Sequence, residues 1–141
     1  MTFQEAVKTC LSKYATFSGR AARSEYWFFY LATILVLIVA SIIDSILGTG
    51  FKTVNPITGV AQSSGYGWLY LIAALALFLP SLAAGVRRLH DTNRSGWWLL
   101  IALIPLIGAI LLIVWLATKG TTGNNDYGAD PLGGDLTAAF S

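Results

Sequence analysis

The sequence predicts an all-α integral membrane protein with three transmembrane helices and a short N-terminal amphipathic helix. Two observations lead there. Of 141 residues, 55% are hydrophobic and only 11% charged, whereas an ordinary soluble domain carries about 25% charged residues to wet its surface. The apolar residues also fall into three long runs with aromatic rings at their ends, as expected of helices of about 20 residues that cross the hydrocarbon core and seat amphipathic rings at headgroup depth.

The elements follow in chain order. Residues 1–24 form a cytoplasmic segment whose stretch 2–17, TFQEAVKTCLSKYATF, repeats Phe3, Val7, Cys10, Leu11 and Tyr14 at spacings of three and four, the stripe of an amphipathic helix. Thr2 and Glu5 have capping-box spacing. This helix rests on the inner membrane surface or docks on the protein's own cytoplasmic loop. The transmembrane domain spans 25–118. Its first span is 27–47 and carries Asp44 near its far end; the second, 67–86, and the third, 97–117, carry no charge. Tyr26, Trp27, Trp97 and Trp98 are interface anchors. Ser81 and Gly85 form a small-xxx-small pair for close helix packing, and Gly108 can serve likewise.

Pro105 and Gly108 interrupt the third run, since proline removes a helical hydrogen bond. A kinked full span is the first expectation. A re-entrant hairpin returning the tail to the cytoplasm is the second. No cleavable secretory signal is expected, because the first apolar run is longer than a signal's core and lacks a small-residue cleavage site.

Lysines and arginines set the orientation. Lys8, Lys13, Arg20 and Arg23 precede the first span, and Arg87, Arg88 and Arg94 separate the second from the third, against Lys52 and Lys119 elsewhere. The N-terminus and the 87–94 link therefore belong in the cytoplasm, and the 48–65 loop and tail 119–141 outside. The loop GTGFKTVNPITGVAQSSG reads as irregular. The tail is dense in turn formers, and its Asp126, Asp130 and Asp135 lack the ligand alternation of a calcium loop. The single cysteine, Cys10, builds neither an intrachain disulfide nor a cysteine-based metal site.

The stretch RRLHDTNRSGWW, residues 87–98, concentrates polar chemistry. Arg87 and Asp91 stand four apart and can pair on a helix; DTNR is turn chemistry and Ser95 a helix cap. His90 alone is left without a structural account. Glu25, in FSGRAARSEYW at 17–27, needs a cationic partner at the membrane edge, and Arg87 or Arg88 is the first candidate. Arg20, Arg23, Glu25, Arg87, Arg88, His90, Asp91 and Arg94 are thus expected to form one cytoplasmic polar plate that orders the helices. Adjacent His90 and Asp91 point to different sides of a helix, which argues against a hydrolase triad. Three arginines beside a membrane are explained by topology, with no nucleic acid required. No catalytic, cofactor-binding or metal residue is assigned.

FSGRAARSEYWFF, RRLHDTNRSGWW, IPLIG and GTTGNNDYGADP occur in the order and spacing of the domain of unknown function 805 family, which the chain resembles over residues 10 to 132. Ala129 departs from that pattern, where the family usually has proline. The resemblance implies a small bacterial inner-membrane protein and supplies no activity. The functional expectation is a non-enzymatic accessory or assembly subunit acting through helix association. It meets the lipid bilayer, including anionic headgroups, and either copies of itself or a membrane-protein partner. A homo-oligomeric channel or small-solute transporter subunit is the alternative, and a lipid-handling membrane enzyme the third.

Overall fold

In a computed structural model, described over residues 1–132, the chain runs α1 (Phe3–Ser12), α2 (Arg23–Leu47), β1 (Gly50–Val54), β2 (Ala61–Gly67), α3 (Trp68–Asp91), a 3-10 segment (Gly96–Leu103) and α4 (Ile107–Ala117). The fold is mostly helical, and α2 and α3 are long and apolar enough to cross a membrane. At a rise of 1.5 Å per residue, their 25 and 24 residues exceed the roughly 30 Å of a hydrocarbon core. Leu31, Leu35, Val39, Ile42 and Ile46 of α2 are all exposed, an apolar surface that water would penalise. The described chain divides into two compact units, 1–30 with 80–132 and 31–79, so each unit takes in part of α2 and of α3.

In the first unit, Thr2 and Glu5 close a reciprocal capping box at 3.2 Å each, and α1 buries Ala6 and Cys10. Cys10 Sγ lies 3.9 Å from the Glu25 carbonyl oxygen. Ala6 and Cys10 thus pack α1 against the protein's own polar residues around Glu25 and Arg87.

The expected third span over 97–117 is not one continuous helix. Gly96–Leu103 is a 3-10 helix and α4 has only 11 residues. Between them the Ile107 amide donates to the Pro105 carbonyl at 2.7 Å and Leu106 takes φ +61°, ψ −69°, a tight and rare γ-turn. Proline cannot donate the bond that would continue a helix, so the chain reverses there. Gly108 makes the reversal close: a side chain on it would collide with the Ile101 carbonyl oxygen. At about 2 Å per residue for 3-10 and 1.5 Å for α, each arm is about 16 Å long, half a bilayer core.

In the second unit, the loop expected to be irregular forms an antiparallel hairpin, with Thr53 opposite Gln62 and a register shift between Gly50 and Lys52. Its turn is organised by Asn55, whose Oδ1 accepts from the amides of Ile57 (2.8 Å) and Thr58 (3.2 Å). Asp44, buried at the end of α2, accepts from the amides of Leu69 (3.1 Å) and Tyr70 (2.8 Å) in the first turn of α3 and from Thr49 Oγ1 (2.6 Å). A carboxylate from one helix thus caps the positive end of the next. Gly67 permits the approach, since a Cβ there would lie 2.6 Å from Asp44 Cγ.

Candidate functional site

The site is a buried arginine–carboxylate cluster in the first unit. It is built from residues 19–25, the last turn of α3 and the tail after α4. Consecutive residues of a helix point about 100° apart, so Arg87 and Arg88 serve different partners. Arg87 Nη1 donates to Glu25 Oε2 at 2.8 Å, and its Nη2 lies 3.9 Å from Cys10 Sγ. Its Nε has no partner among the described residues. Arg88 pairs with Asp91 three positions on, at 2.5 Å. The pairing of Arg87 with Asp91 expected from their spacing does not form; Glu25 and Arg88 take those places.

Arg88 also donates from Nε to the Leu116 carbonyl at 2.8 Å, from Nη1 to the Ala21 carbonyl at 3.1 Å and from Nη2 to the Thr118 carbonyl. Two of these acceptors lie at the C-terminal end of α4, where helical carbonyls are unsatisfied and the helix dipole is negative. Arg88 is therefore both ion-pair partner and cap. Arg20 completes the arrangement. Its Nε meets Asp91 Oδ1 at 2.9 Å, Nη1 donates to the Gly123 carbonyl at 2.6 Å, and Nη2 donates to the Thr121 carbonyl. The three guanidiniums of Arg20, Arg87 and Arg88 thus share two carboxylates, Glu25 and Asp91, all five being buried. Main-chain carbonyls answer the surplus positive charge, as buried charge requires.

His90 is held on three sides. Nδ1 lies 3.0 Å from the Gly19 carbonyl oxygen, the ring stacks on Tyr127 with centroids 4.0 Å apart and planes 4° apart, and Asn125 Nδ2 donates to the His90 carbonyl at 2.9 Å. Arg23 and Arg94 lie outside this core. Arg23 is exposed and reaches the Ala117 carbonyl at 3.5 Å; the Arg94 guanidinium lies 4.8 Å from the centre of the Trp115 ring. Burial pushes the Cys10 thiol up from its ordinary pKa, and Glu25 adds to that shift. The amides of Gly123 and Leu132 hold the Asp130 carboxyl below its usual range.

Trp97 and Trp98 are exposed, with Trp98 edge-on to Trp115 at 5.5 Å, whereas Tyr26 and Trp27 are half-buried. Gly85 is less crowded than a close-packing glycine: a Cβ there would meet Leu99 at an ordinary 3.5 Å. Ser81 is half-buried. No group of three or more potential metal ligands occurs among the described residues; Asp135 lies outside them.

The tail is what sequence reasoning missed. The Asp91 carbonyl accepts from the Thr121 amide at 2.7 Å, and a side chain at Gly120 would run into the Asp91 carboxylate. The tail, expected on the other side of the membrane from the 87–94 link, is here bonded to Arg20, Arg88 and Asp91. The turn-former density of GTTGNNDYG was the available signal.

Two helices of membrane-spanning length, with apolar faces turned outward and a buried arginine–carboxylate cluster, define a small helical membrane protein. The family model described as protein of unknown function (DUF805) matches residues 14–129, and the chain belongs to that family. It is similar to the inner membrane protein YhaI of Escherichia coli (strain K12), 42% identical over 121 residues that cover 86% of this chain and 90% of that one. It is 41% identical to the inner membrane protein YhaH of the same strain, over 86% of this chain and 91% of that one. No solved structure matches.

Proposed function

We propose that this chain is a two-span inner-membrane protein that works by association, as an assembly or accessory subunit rather than an enzyme. In this reading α2 and α3 cross the bilayer. The N-terminal segment, the 87–94 link and the tail lie in the cytoplasm, and residues 96–117 form a re-entrant hairpin in the inner leaflet. The observation that carries it is the binding of Arg20 and Arg88 by tail carbonyls, which puts the tail with the N-terminal arginines. Lys119 then joins Lys8, Lys13, Arg20, Arg23, Arg87, Arg88 and Arg94, so that eight of the nine Lys and Arg residues are cytoplasmic and only Lys52 is outside. The positive-inside bias is stronger than with an external tail. Support for association comes from the guanidiniums, which are occupied by structural acceptors, and from the exposed aliphatic faces of α2 and α4, which suit a second copy or another membrane helix.

The test uses single cysteines in a Cys10→Ala background, labelled with a membrane-impermeant maleimide, and a photocrosslinker at Ile38. Thr58→Cys should label on intact cells and Asn124→Cys only after permeabilisation; external labelling of Asn124→Cys overturns the topology. Discrete crosslinked species from Ile38 support association, and a chain that remains monomeric and uncrosslinked in native membranes overturns it.

A further inference from the structure

We infer that the tip of the β1–β2 hairpin dips into the outer leaflet of the bilayer, where Val54, Ile57 and Val60 meet lipid acyl chains. The turn VNPITGV, residues 54–60, carries no charge, and these three side chains are 65%, 92% and 57% exposed. Three large apolar groups within seven residues form a patch that water penalises. They also surround the tip. Val54 stands opposite Ala61, and the Asn55 amide donates to the Val60 carbonyl at 3.0 Å, which continues the ladder. Neighbouring positions of a ladder face opposite ways, so Val54 and Val60 lie on different faces. A flat partner surface would cover one face; acyl chains cover a tip all round.

The backbone of the turn is prepared for that medium. Besides the Asn55 bond, the Gly59 amide donates to the Asn55 carbonyl at 2.8 Å. The Ile57 and Thr58 amides donate to Asn55 Oδ1, and the Val60 amide to Thr58 Oγ1 at 3.4 Å. Pro56 has no amide hydrogen. Every N–H from 55 to 60 is thus satisfied inside the turn, and away from water an unsatisfied one would be costly.

The root of the hairpin points the same way. Gly67 sits against Asp44, and the carbonyl of Gly65, two residues back, accepts from the Ser41 hydroxyl. From Gly67 towards its tip, the hairpin therefore first runs back along α2. Ser41 lies roughly 9 Å along the helix from Leu47, farther than a headgroup layer of about 5–7 Å is thick. Lys52 is exposed and is the one charged residue between Asp44 and Arg87; its ammonium suits lipid phosphate. The open strand edges stay at headgroup depth, where water and water-borne reagents reach.

The inference rests on the membrane placement proposed above. Failure of that placement is read separately, from Asn124→Cys labelling on intact cells, which does not involve the hairpin. For the test, the full chain in a Cys10→Ala background is reconstituted in bilayers of phosphatidylethanolamine and phosphatidylglycerol. It carries a nitroxide at Ile57→Cys, Val60→Cys or Asn124→Cys. Collisions with oxygen, which concentrates among acyl chains, are compared with collisions with a water-soluble nickel chelate. Labels at Ile57→Cys and Val60→Cys should favour oxygen, and that at Asn124→Cys the chelate. A chelate preference at Ile57→Cys overturns the inference. So does shielding from both reagents, which would assign the tip to a protein surface such as a second copy. Ile57→Asp changes an exposed side chain and should leave the melting temperature in detergent unchanged. Combined with the Val60→Cys label, it should shift that label's partition towards water about tenfold, as withdrawing one immersed isoleucine implies. An unchanged oxygen preference there would show that the aliphatic side chains do not hold the tip in lipid, and would overturn the inference as well.

Discussion

Asp44 and Asp91 are both buried carboxylates at the ends of long helices, yet they do opposite kinds of work. Asp44 gathers neutral donors from nearby in the chain, the furthest being the Tyr70 amide 26 positions on. Asp91 gathers charged donors, one of them Arg20 from 71 positions away. The first closes a connection that chain continuity already brings near. The second ties together segments that only tertiary structure unites, and it neutralises guanidiniums that have no water to fall back on. A carboxylate's structural weight is therefore set by what its removal strands, more than by its own burial.

Asp91→Ala breaks this contrast most severely. It leaves Arg20 and Arg88 buried with carbonyls alone, and the expected cost is about 3–5 kcal/mol, read as lost thermal stability in detergent and rapid proteolysis of the tail. A near-normal melting temperature would show that the carbonyls suffice. Glu25→Gln comes next. It keeps an oxygen for Arg87 but removes the charge, and should cost about 1–3 kcal/mol; a loss equal to that of Asp91→Ala would make the two ion pairs equivalent. Asp44→Ala is smallest, because it removes a helix cap whose amides water can reach in part. Its loss should be roughly a third of that for Asp91→Ala, with faster hydrogen exchange confined to the start of α3. Exchange that also rises around Arg88 would show the two regions to be coupled.

The same distinction decides what was legible in the sequence. α2 and α3 are written in composition, because a run of apolar residues ended by aromatic rings has few alternatives. The third run has the same composition, and its fate turned on local chemistry: Pro105 ends hydrogen bonding and Gly108 allows the arms to touch, signals that fit a kink as well as a reversal. Glu25 was readable as an acid needing an arginine, and Arg87 answers it at 2.8 Å. The choice between Arg87 and Arg88 depends on helical phase against α1, which no spacing records. The tail was unreadable as a partner because it binds through main-chain carbonyls, which every residue possesses. The hairpin was hidden by its glycines and serines, although Asn-Pro between short β-branched stretches was a turn signal.

During synthesis, Arg20 leaves the ribosome 108 positions ahead of Gly128, a carbonyl it comes to rest against. Until Thr121, Gly123 and Gly128 emerge, Asp91 is the one final partner available to Arg20 among the described residues. A chain halted after Ala117 would hold Glu25 for Arg87 and Asp91, Ala21 and Leu116 for Arg88, but none of the carbonyls that Arg20 meets after α4. Residues 118–128 thus close a cluster whose other members lie far earlier in the chain.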